Sequence, residues 1–101
     1  MTNLYILNEN GNPVAEPDLA KWSEWFKTSE RRVANEKIGD STVSTVFLGA
    51  NHSFSGSGGA VLWETMVFGG KLDEEQHRCC GSREQALVMH ERMAKKVRAA
   101  Q

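Results

Sequence analysis

Two runs of strand-forming residues, Thr42–Leu48 and Val61–Phe68, flank an eleven-residue segment holding four glycines: Gly49, Gly56, Gly58 and Gly59. β-Branched and aromatic side chains favour a pleated surface, so both runs predict strands. Along Val61–Phe68, alternation puts Leu62, Glu64, Met66 and Phe68 on one face and Val61, Trp63, Thr65 and Val67 on the other. Both faces are apolar. The strand is therefore expected in the centre of a sheet, and Glu64, the carboxylate in it, needs a partner such as Arg31, Arg32 or a backbone donor.

The rest of the chain supplies neighbours and a cover. Leu4–Leu7 predicts a short strand, closed by the turn-forming stretch Asn8–Pro13. Glu16-Pro17-Asp18 predicts a helix start, because proline suits the first turn and acidic residues favour the macrodipole. Leu19, Trp22, Trp25 and Phe26 then share about one third of that helix's circumference. Trp25, at the margin of this stripe, is expected to be exposed and available as an interface anchor. Arg31–Ile38 is charged enough for an edge strand, Gly39-Asp40 turns the chain, and Gln76–Cys80 predicts a weaker last strand. Ser82 and Gln85 form a capping box for a helix running to about Ala99. Its stripe is Ala86, His90, Met93 and Val97, widened by Leu87 and Ala94.

The order β-α-β-β-β-β-α predicts an α+β fold. An antiparallel sheet of about four to five strands would carry two α-helices on one face. The 101 residues fit one domain, 1–101. Surface scaling lets roughly 65% of the chain's area be buried, enough for one modest core. Twelve basic against thirteen acidic residues leave a formal charge of -1, which argues against wrapping a nucleic-acid backbone. The neighbours Cys79 and Cys80 suit neither a mutual disulfide nor a zinc site and are read as reduced thiols. No signal peptide or membrane-spanning run is expected, so the sequence reads as a soluble intracellular protein.

Chemistry is sparse. The Gly49–Gly59 segment matches no phosphate-binding fingerprint, although Gly56 and Gly58 would let backbone amides approach an anion. Asn51, His52 and Phe54 within it are candidates for contact with a ligand or partner. His90, on the apolar stripe, is read as a hydrogen-bonded core residue. No spacing supports a metal site, a serine nucleophile or a resident cofactor.

Several strings carry a resemblance. Tyr5–Val14, Val43-Ser44-Thr45-Val46-Phe47-Leu48-Gly49 and Glu64-Thr65-Met66-Val67-Phe68-Gly69-Gly70 resemble a family of small uncharacterised proteins encoded by phages and prophages. Members usually have Asp-His where this chain has Asn51-His52. The resemblance implies a phage accessory protein in the cytoplasm of a bacterial host. The expected role is non-enzymatic binding of a host protein or a small nucleotide ligand, as in an inhibitor of antiviral defence. The alternatives are a minor particle component that self-associates through an edge strand, or a small enzyme using His52 and Glu64.

Overall fold

The computed structural model describes residues 3–52 and 59–101, Cys80 by its backbone alone. A hairpin of β1 (Tyr5–Leu7) and β2 (Pro13–Ala15) comes first, then α1 (Leu19–Thr28). Four strands follow: β3 (Arg32–Ile38), β4 (Ser41–Phe47), β5 (Val61–Phe68) and β6 (Gln76–Cys80). They form an antiparallel sheet in that same order, and α2 (Arg83–Ala100) closes the chain. The fold is α+β, with β5 inside the sheet and the charged β3 at one edge.

The sequence predicts a turn ending at Pro13 and assigns no strand to Val14 and Ala15; Pro13–Ala15 instead pairs with β1, Leu7 opposite Pro13. The cause is local. The Asn8 side chain accepts from the amides of Asn10 and Asn12, and Gly11 takes a left-handed φ of 79°, which closes the hairpin. The helices also differ from expectation, since only α2 covers a face of the four-stranded sheet. Helix α1 packs chiefly on β1 and meets the sheet at its Phe47 end. Asp18 caps α1, and the Trp22 indole donates to the carbonyls of Tyr5 (3.1 Å) and Gly49 (2.9 Å). That indole ties helix, hairpin and the end of β4 together. Phe26 stacks on Trp22, with the Arg31 guanidinium 3.9 Å above its ring centre.

The core lies between α2 and the sheet in two clusters. Val43 and Val67 meet Met93 and Val97 at one end; Phe47, Leu62 and Trp63 meet Ala86 at the other. The predicted stripe of α2 is buried as expected, whereas Leu87 stays exposed. Between the clusters runs a polar chain. Thr65 Oγ1 lies 2.5 Å from Thr45 Oγ1, which lies 2.7 Å from His90 Nδ1. His90 Nε2 faces Glu36 at 3.4 Å, and Glu36 pairs with Arg98. One proton arrangement serves every member: Thr65 donates to Thr45, Thr45 to Nδ1, and the Nε2 proton points to Glu36.

Both hydroxyls are fully buried, so this chain sets a strong constraint on sequence. Thr45→Val deprives Thr65 and His90 of their shared partner at nearly constant volume. It is expected to cost about 2 kcal/mol, with Tm falling by roughly 10 °C. Thr45→Ser should keep most of that stability. Urea and thermal unfolding check both, and equal stability of the Val variant and the parent would contradict the assignment.

Candidate functional site

Helix α2 creates the main cleft. At about 100° per residue, its buried stripe is flanked by Gln85, Met89, Arg92 and Lys96 on one side and by Glu91 and Arg98 on the other. Lys96 pairs with Glu75, just before β6, while Arg98 pairs with Glu36 on β3. The first flank therefore overhangs β6, the strand at the opposite edge of the sheet from β3. The cleft between them has a volume of about 440 Å³ and is lined by His77, Arg78, Cys79, Gln85, Val88, Met89 and Arg92. Its walls are apolar at Val88 and Met89 and cationic at Arg92 and at Arg78, which pairs with Glu64, and no carboxylate lines it. Val88 is 51% exposed.

Local chemistry holds this cleft in shape. The Trp63 indole donates to the Gly81 carbonyl at 3.0 Å, anchoring the link between β6 and α2. Gly81 has a φ of 104°, and a side chain there would collide with Gln85, whose Oε1 would sit 1.5 Å from a Cβ. The space is needed because Gln85 closes the capping box on the Ser82 amide at 3.1 Å. The mouth of the cleft is thus built from the start signal of α2.

The residues singled out in the sequence lie elsewhere. The Asn51 side chain accepts from the Val61 amide at 2.9 Å. The His52 amide donates to the Val61 carbonyl at 2.9 Å, and His52 Nδ1 lies 2.8 Å from the Ala50 carbonyl. The pair clamps the base of the glycine-rich segment onto the start of β5. Phe54, Gly56 and Gly58 lie outside the described residues. Glu64 does have a partner, but it is Arg78 on β6 (2.7 Å), directly opposite in register, not Arg31 or Arg32. Neither His52 nor Glu64 lines the main cleft or the second, shallower one.

Trp25 corrects the sequence reading. It is half-buried, edge-on to Phe47 at 5.8 Å, because the last residue of β4 projects toward α1 and gives the indole a ring to pack on. The exposed member of that stripe is Leu19, at 64%. The remaining surface of Trp25 borders the second cleft, with Leu7, Asn10, Ser29, Glu30 and Arg83. His90 is the hydrogen-bonded core residue expected of it.

Among the described residues, no three of His, Cys, Asp and Glu gather as a metal-binding group. No helix there is long and apolar enough to cross a membrane. No family model matches the chain, and no curated protein and no solved structure matches it significantly.

The clamp at the segment's base has a direct test. Asn51→Ala removes the acceptor of the Val61 amide, which is expected to cost about 1 kcal/mol and to speed hydrogen exchange at Val61. Glu64→Gln, on a pair open to solvent at its Arg78 end, should cost less than about 1 kcal/mol. A Val61 amide that exchanges as slowly in Asn51→Ala as in the parent would contradict the clamp.

Proposed function

We propose that this chain is a small phage-type accessory protein that acts as a non-enzymatic binder of a protein in a bacterial host, with inhibition of an antiviral defence system as its role. The observation that carries this reading is the cleft between β6 and α2. It joins exposed aliphatic surface to an arginine unpaired among the described residues, Arg92, and has no carboxylate in its lining. Such a surface suits recognition by shape and a few placed polar groups.

The alternatives have less support. The enzyme reading needs His52 and Glu64 at one site, yet Glu64 is paired to Arg78 and the His52 imidazole is turned to the Ala50 carbonyl. Nucleotide capture by Asn51 and His52 competes with the clamp that both make at the base of β5. Assembly through β3 is opposed by Arg32, Glu36 and Lys37, charges of the kind that keep edge strands apart.

The test is co-purification from host lysate, with native mass and identification of whatever co-elutes. The expected result is one host protein in stoichiometric amount, lost from the Val88→Asp variant, whose exposed position leaves the fold intact. Capture that survives Val88→Asp, or large self-assemblies with no guest, would contradict the proposal.

A further inference from the structure

Among the cations of α2, Arg92 is the one that lines the cleft. Lys96 is paired with Glu75, and Arg98 with Glu36 and Glu91. Arg92, like Arg83 and Lys95, has no ion-pair partner among the described residues, and of these three it alone lines the cleft, one turn beyond Val88 and Met89. On the opposite wall, His77 and Cys79 alternate with Arg78 along a strand whose outer side pairs with no other strand among the described residues. A guanidinium without a counter-ion, set beside an aliphatic shelf, is complementary to a carboxylate next to an aliphatic side chain. A terminal strand next to a helix is also the geometry in which an extended segment can lie along the strand and send alternate side chains into the groove.

We infer that the β6–α2 cleft seats an extended segment of a partner protein in which an aspartate or glutamate neighbours an aliphatic residue. The aliphatic side chain rests on Val88 and Met89, the carboxylate meets Arg92, and Gln85 offers a polar contact at the mouth. A volume of about 440 Å³ accommodates a few side chains, not a folded domain, so the docked element is short. The inference rests on the binder reading and gives it a ligand class.

The experiment pans a displayed library of random nonapeptides against the intact protein and against Arg92→Glu. The expected result is an acidic–aliphatic consensus on the parent and a basic residue in place of the acidic one on the variant. A synthetic peptide of the parent consensus, followed by fluorescence anisotropy, should lose at least about tenfold in affinity on Arg92→Glu and on Val88→Asp. The same consensus on both proteins, no consensus at all, or an affinity indifferent to both substitutions would overturn the inference. Free glutamate or inorganic phosphate displacing the peptide at equal concentration would also overturn it, because the site would then be a simple anion site. Should a host protein be captured through Val88 while no peptide binds, the ligand class fails and the binder reading stands. Should capture ignore Val88, the binder reading itself fails.

Discussion

The hydrogen-bond chain from His90 through Thr45 to Thr65 fixes how α2 sits on the sheet, and most of the molecule's surface chemistry follows from it. A helix packed by methyl groups alone can slide or rotate by a fraction of a turn at small cost. An imidazole joined to a buried hydroxyl cannot, because every shift leaves a polar atom without a partner in an apolar layer. With the stripe held in place, Met89 and Arg92 must hang over β6, and Arg98 must face Glu36 on β3. The cleft is therefore a consequence of the core.

Near-neutral charge takes on a more specific meaning in this setting. The net value of -1 reflects twelve basic against thirteen acidic residues, and some of these charges cancel locally, Glu64 with Arg78, Glu75 with Lys96 and Glu36 with Arg98. Where pairing is satisfied, the surface offers little to a charged partner. Among the described residues, Arg92 is unpaired at a point where aliphatic surface is also exposed. A protein with no large basic field can still select an acidic partner through one such position.

Much of the fold was legible in the sequence because the signals were local. The β-branched residues of β4 and β5, the capping box at Ser82 and the Ala86–His90–Met93–Val97 stripe each act within a few residues, and the structure reproduces them. The misses depended on contacts distant in sequence. Trp25 reads as marginal until Phe47 is known to end its strand against α1. Glu64 needs a partner by its own chemistry, but only strand register reveals Arg78. Strand β2 went unread because Asn8 and Gly11 close a hairpin in a stretch rich in turn residues. The candidate cleft was missed for a related reason. The flank Gln85–Met89–Arg92 follows from the same periodicity as the stripe, but which flank of α2 faces β6 is a property of topology. Its remaining local signal was Val88, an aliphatic residue outside the buried stripe.

The most direct measurement is a set of backbone amide NMR spectra of the isotope-labelled protein, free and bound to the host protein that co-purifies with it. Docking at the β6–α2 cleft predicts shifts concentrated at Gln76–Arg78 and Gln85–Arg92, with the amides of Thr45 and Thr65 unmoved. Shifts centred on Asn51 and His52, or on Thr42, Ser44 and Met66 of the sheet's outer face, would contradict it.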